Sequence, residues 1–171
     1  MTEVTINKQA RLSEHFTLAE MCKTSAKTAD GNIPSHVHIE NLKRLCGWLE
    51  MLRSEWNKRY GRLSPSPSLQ REGSDYIEEP IIINSGYRSP EVNKAVGGVS
   101  TSNHLTGCAA DIKVEGIEQL IRYATILLDI SYESQEDFDE LLIERSPKGS
   151  YWLHFAVRPT NNRRKVRLIQ T

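Results

Sequence analysis

Two histidines and an aspartate raise the first chemical question in this chain. His104 and Asp111 bracket Gly107 within residues 84–114, NSGYRSPEVNKAVGGVSTSNHLTGCAADIKV, and His154 follows in YWLHFAV. Two imidazoles and one carboxylate are a ligand set suited to zinc, with a fourth position free for water. Zinc lowers the pKa of such a water to about 7, so hydroxide becomes available near neutral pH. A hydrolase built this way also needs a base for the water's proton and a cation for the developing oxyanion. Glu144 and Arg88 are the candidates for these two tasks. Each residue also has a plainer reading. His154 would serve as a structural strand histidine, Asp111 as a loop cap, Glu144 as a surface carboxylate in an ion pair, and Arg88 as the partner of Glu91. Spacing by itself leaves both readings open.

Strand alternation places the candidates on one surface. In AADIKV, Asp111 shares a face with Ala109 and Lys113, opposite Ala110, Ile112 and Val114. In YWLHFAV, His154 lies with Trp152 and Ala156, opposite the apolar Tyr151, Leu153, Phe155 and Val157. Glu144 shares a face with Leu142, away from Leu141 and Ile143. Asp111, Glu144 and His154 therefore project together from the open face of a sheet. His104 and Asp111 are two helical turns apart, but Gly107 between them and the β-branched end of the segment favour a loop histidine leading into a strand.

The elements that must carry these residues are marked by caps and periodicity. Thr17-Leu18-Ala19-Glu20 fits a capping box, with Phe16 and Met21 as its hydrophobic staple, and predicts a short helix through about Cys22. Residues 24–34 read as a loop. Residues 36–60 repeat Ile39, Leu42, Leu45, Cys46, Leu49, Leu52 and Trp56 at spacings of three and four, which predicts a core-facing helix. His36 and His38 at its start are read without a metal role. Residues 61–80 lack an apolar period and read as a surface excursion. Ile81-Ile82-Ile83 begins a buried strand, and Ser89-Pro90-Glu91 opens a short helix that ends near Gly97-Gly98. An amphipathic helix follows Gly116. Residues 138–145 and 151–157 form a hairpin centred near Lys148-Gly149, with Glu144 opposite Leu153 or His154. A last strand covers 165–169. The order predicts one α+β domain over 15–171 after a disordered 1–14. Its small, mainly antiparallel sheet carries the metal site on the open face, packed by N-terminal helices and one later helix.

Composition narrows the partners. The 22 Lys and Arg balance the 22 Asp and Glu, so there is no net electrostatic pull toward nucleic acid or an anionic membrane. The basic run Arg163-Arg164-Lys165 reads as a solvated strand. The three cysteines are odd in number and lack CxxC spacing, as expected of reduced thiols. Alternation sends Cys108 to the core side as a packing residue. No membrane span or signal peptide is visible, which predicts a soluble chain made in the cytoplasm, and nothing in the sequence calls for a multimer, so a monomer is expected. Action on the cell wall would then require a separate export or lysis system.

With these residues in view, the chain resembles the zinc D-Ala-D-Ala carboxypeptidase family of murein peptidases. The hallmark of one branch resembles SGYRSPxxNxxVGGxxxSxHxxGxAxDI followed by WxH; here the residues are SGYRSPEVNKAVGGVSTSNHLTGCAADI and then WLH. EHFTLAEM and the helix after it also look like that branch. The resemblance implies Zn2+ held by His104, Asp111 and His154, with Arg88 as the substrate-polarising arginine. Many members carry the base three residues before the last histidine, where this chain has Tyr151. A pattern like DQLIxE in the preceding strand instead places the base at Glu144, with Glu140 at the glutamine position. Trp152 would flank the site and Ser102 would orient its loop, both facing substrate. The implied function is zinc-dependent hydrolysis of an amide bond in a peptidoglycan stem peptide or muropeptide, as a carboxypeptidase or endopeptidase. The competing expectation is a non-catalytic zinc module that binds cell-wall peptide or a protein partner.

Overall fold

The computed structural model describes residues 7, 9–63 and 76–170. The Thr17 hydroxyl accepts the Glu20 N–H (3.3 Å) and starts α1 (Leu18–Met21). Ser35 and His38 form a capping box at the head of α2 (His36–Tyr60). The Ser35 hydroxyl accepts the His38 N–H, and His38 Nδ1 accepts the Ser35 N–H, both at 3.3 Å. His38 thus does the work usually given to Glu or Gln at that position. The α2 stripe of Leu42, Leu45, Cys46, Leu49 and Leu52 is wholly buried.

Two short strands, β1 (Arg62–Leu63) and β2 (Tyr76–Ile77), pair antiparallel. Most of the expected surface excursion, residues 64–75, lies outside the described residues. Next come β3 (Ile83–Ser85), α3 (Pro90–Ala95), a 3-10 helix (Asn103–Thr106), β4 (Ala109–Lys113) and α4 (Ile117–Ser134). The hairpin β5 (Glu140–Arg145) and β6 (Tyr151–Ala156) and the strand β7 (Lys165–Gln170) complete them. Strand β3 begins two residues later than expected. Ile81 is buried ahead of the strand, Ile82 is exposed, and only the Ile82 carbonyl reaches β4, by accepting the Lys113 N–H.

The larger sheet runs β3-β4-β6-β5-β7 and is antiparallel except for the parallel β5–β7 pair. One face, bearing Ala110, Ile112, Leu141, Leu153 and Phe155, meets the buried stripes of α2 and α4 in one core. Trp48 of α2 and Phe155 of β6 touch there, with ring centres 5.4 Å apart. The architecture is one small α+β domain whose helices cover one side of an open sheet. No described helix is long and apolar enough to cross a membrane.

Of the stretch 1–14 expected to be disordered, residues 1–6 and 8 lie outside the described residues. Arg11 bridges Thr17, while the Ser13 hydroxyl and the His15 N–H both donate to Glu50 (2.6 and 2.7 Å). The basic run 163–165 is a correction to the sequence reading. Its side chains are not simply solvated, because the β5 end offers a row of carboxylates. Arg164 pairs with Asp137, Lys165 with Glu140, and Arg163 with both Asp139 and Glu140.

Asp139 is the hub of this joint and is fully buried. It accepts from Arg163 Nε (2.8 Å), Arg163 Nη2 (2.6 Å) and Asn103 Nδ2 (2.7 Å). Burial pushes its carboxyl up, but the bonds from Arg163 and Asn103 outweigh this and hold it below the ordinary range. A depressed carboxyl stabilises the fold fully above its unfolded pKa of about 4, and the contribution is lost as pH falls through the folded value. Asp139→Asn is therefore expected to cost about 2 kcal/mol at pH 7, within the range for hydrogen bonds to a charged group. The deficit should shrink in strongly acid solution, where the wild type loses the same charge. Urea unfolding at neutral and acid pH reads both.

Candidate metal centre

His104 reaches the sheet face through a short, tightly fastened turn. The Ser102 hydroxyl caps the 3-10 helix by accepting the His104 N–H (3.3 Å). Gly107 ends it in the left-handed region, at φ 71°. A Cβ at Gly107 would stand 2.7 Å from the His38 carbonyl oxygen, so only glycine lets this turn lie against α2. Asn41 of α2 completes the clamp by donating to the Thr106 carbonyl (2.9 Å).

Asp111 and His154 are direct partners in the β4–β6 ladder, so their side chains leave the same face side by side. Asp111 Oδ1 lies 3.2 Å from His104 Nε2 and 2.9 Å from His154 Nδ1. One potential ligand atom from each of the three residues falls within 4.8 Å of the others, and all three residues are buried.

The proton positions test whether the trio suits a metal. His104 Nδ1 is 2.6 Å from the Gly86 carbonyl, which can only accept, so Nδ1 carries a proton. Burial lowers the pKa of His104, which favours the neutral ring. Its Nε2 is then a bare lone pair facing a carboxylate oxygen. Two lone pairs at that separation repel unless a cation sits between them, and the donor set fits a divalent metal. A backbone acceptor fixing the far nitrogen is the usual support of a metal-binding imidazole. Burial would also raise the Asp111 carboxyl, but the two imidazoles hold it far below the ordinary range. For His154, burial pulls downward, yet the bond to Asp111 and the nearby Glu140 carboxylate carry it up to about 9.

The other expected residues line the same cleft, an open space of about 880 Å³. Arg88 does not pair with Glu91. Its Nε donates to Ser85 (2.8 Å) and its Nη2 to Asp111 Oδ2, while its backbone N–H donates to the His104 carbonyl (3.1 Å). Glu144 Oε1 lies 4.0 Å from His154 Nδ1, and burial raises its pKa. Trp152 and Ser102 also face the cleft. Cys108 stays out of the cluster, with Sγ against the Thr106 carbonyl (3.8 Å) and its pKa raised by burial.

Two features differ from the sequence reading. Glu144 pairs with Trp152, and Leu142 with His154, because the turn is centred on Lys148. A partner at Leu153 would have sent Glu144 into the core. Glu140, not expected as a site residue, also lines the cleft. Its carboxylate accepts from Asn103 (3.0 Å) and Lys165 (2.9 Å) and lies 3.5 Å from His154 Nε2. Its distance from His104 in the chain hides that role.

The structure is a small α+β domain with a buried His–Asp–His cluster that could hold a metal ion and that lines an open cleft. Residues 69–132 match the family model described as peptidase M15, which supports the resemblance to the zinc D-Ala-D-Ala carboxypeptidase-like peptidases. Peptidases of that family are metal-dependent. The matched stretch contains Arg88, His104 and Asp111, while Glu144, Trp152 and His154 lie beyond it. No curated protein matches the chain.

Gly107→Ala is expected to cost about 2 kcal/mol through the disfavoured backbone region and the clash with α2. It should also weaken metal uptake by displacing His104. Gly47→Ala, where an added Cβ meets nothing within 4 Å on α2, should be neutral or stabilising. Thermal denaturation and metal titration of both variants check the contrast.

Proposed function

We propose that this protein is a zinc-dependent peptidase that hydrolyses an amide bond in bacterial peptidoglycan peptides, as a D,D-carboxypeptidase or a murein endopeptidase. The observation that carries this reading is the lone-pair contact between His104 Nε2 and Asp111 Oδ1, with His154 Nδ1 converging on the same oxygen. His104, Asp111 and His154 would hold the ion. Bound zinc supplies a water of lowered pKa and polarises a carbonyl.

The protein's own groups do the rest. Glu144 takes the proton from the attacking water and passes it to the leaving amine. Its burial suits the task, because a raised pKa brings a carboxylate closer to the working pH of an acid–base group. Arg88 holds the scissile carbonyl oxygen and the negative charge that grows on it, using the N–H groups not committed to Ser85 and Asp111. The Arg88 bond to Asp111 sets the guanidinium beside the metal ligands before substrate arrives. Trp152 and Ser102 line the cleft where the peptide lies. The cleft's openness suits a chain of several residues. A peptide-type substrate is also what the family match implies.

Elemental analysis joined to digestion of purified peptidoglycan tests the reading. One zinc per chain with new amine ends is expected, and the fragment masses identify the bond. Zinc without cleavage would support a binding module in its place. Glu144→Ala should keep the metal and lower turnover by about 10²-fold or more, the scale of acid–base catalysis. Full activity in that variant would remove Glu144 from the role.

A further inference from the structure

We infer that Glu140 is a positioning residue of the metal centre, holding His154 in the one tautomer that turns a bare Nδ1 toward Asp111. The inference rests on the reading of His104, Asp111 and His154 as metal ligands.

A histidine that binds a metal through one ring nitrogen must carry its proton on the other. Such imidazoles almost always donate that N–H to an acceptor, which fixes the ring's tautomer and orientation. For His104 the acceptor is the Gly86 carbonyl. For His154 the ladder turns Nδ1 toward Asp111 Oδ1, at 2.9 Å, and a metal held at Nδ1 leaves the proton to Nε2. Nε2 is buried and has no hydrogen-bond partner among the described residues. The Glu140 Oε2 atom stands 3.5 Å away, on the neighbouring strand and the same face. That is longer than a formed bond but within reach of a small rotation of either group.

The chemistry of the residue at 140 then decides the tautomer. A carboxylate has no donor, so it is compatible only with an N–H on Nε2. A glutamine, the residue of the resembling branch at this position, can accept the same N–H through its amide oxygen, whereas an aliphatic side chain offers no acceptor.

Glu140 is itself held in place from two sides. Oε2 accepts from Asn103 Nδ2 at 3.0 Å, and Oε1 pairs with Lys165 Nζ at 2.9 Å and Arg163 Nη2 at 3.0 Å. The two cations offset the charge placed beside the centre and leave the carboxylate little freedom to turn away. Asn103 immediately precedes His104, so this one carboxylate links the two histidine-bearing segments of the site.

The test uses the full chain. Zinc affinity is measured by competition with a chromophoric chelator for the wild type, for Glu140→Leu, which removes the acceptor, and for Glu140→Gln, which keeps one. The expected result is a dissociation constant weakened about 10- to 100-fold in Glu140→Leu, the usual effect of removing such a partner, with Glu140→Gln close to the wild type. Circular dichroism and melting of the metal-free chains should show no matching loss of fold. Nitrogen-15 imidazole spectra of the zinc-loaded wild type should place the His154 proton on Nε2, a readout that does not depend on the variant folding. Equal affinities in the wild type and Glu140→Leu, or a His154 proton on Nδ1, would overturn the proposal alone. A wild type that takes up no zinc would overturn it together with the reading it rests on.

Discussion

The register between β4 and β6 is the constraint on which the site depends. Asp111 stands directly opposite His154, and the apolar partners Ile112 and Leu153 lie one step along on the other face. A slip of one residue would turn every side chain of a strand to the opposite face. It would bury the carboxylate against α2 and α4 and expose the residues that now fill the core. The burial of Ala110, Ile112, Leu153 and Phe155 therefore fixes where the polar cluster goes. The hydrophobic core and the His–Asp–His cluster are two sides of one ladder.

The cluster concentrates charge in a place that disfavours it, and the surrounding structure answers each charge. Arg88 takes one oxygen of Asp111, leaving the other to the two imidazoles. Behind His154, the carboxylates of Asp139 and Glu140 are met by Arg163, two residues before β7, and by Lys165, its first residue. Such networks need all their members, because a charge left without its partner inside a protein is costly. The parallel β5–β7 pairing brings those cations to the right edge. In that sense β7 belongs to the site, although only its outer side chains touch the cleft.

Local signals in the sequence were readable wherever the physics was local. Ser89 with Pro90 announced α3, the period of Leu42, Leu45, Leu49 and Leu52 announced α2, and alternation in AADIKV and YWLHFAV assigned Asp111 and His154 to one face. Signals that depend on distant pairing were not readable. The hairpin register turned on a half-residue shift in its turn. The start of β3 turned on which carbonyls reach β4. The roles of Asp139 and Glu140 depend on cations some 25 residues further on, and the basic run that supplies them looks from sequence like a solvated strand. His38 is intermediate: its position suggested no ligand, but only the structure explains it, as a helix cap.

The spread of these contacts along the chain also has a consequence for synthesis on the ribosome. Arg88, His104, Asp111, Glu140, His154 and Lys165 must all be present before the cluster is complete. The helices before β3 can form while the rest is still being made, but their apolar faces have no finished sheet to cover. The long separations between paired strands make closure of the sheet the slow step. The nascent chain therefore carries an exposed core face until β6 docks between β4 and β5, and aggregation competes with folding during that interval. The His–Asp–His cluster is completed at the end of this sequence, and a chain interrupted before β6 has neither a closed core nor all three of its residues.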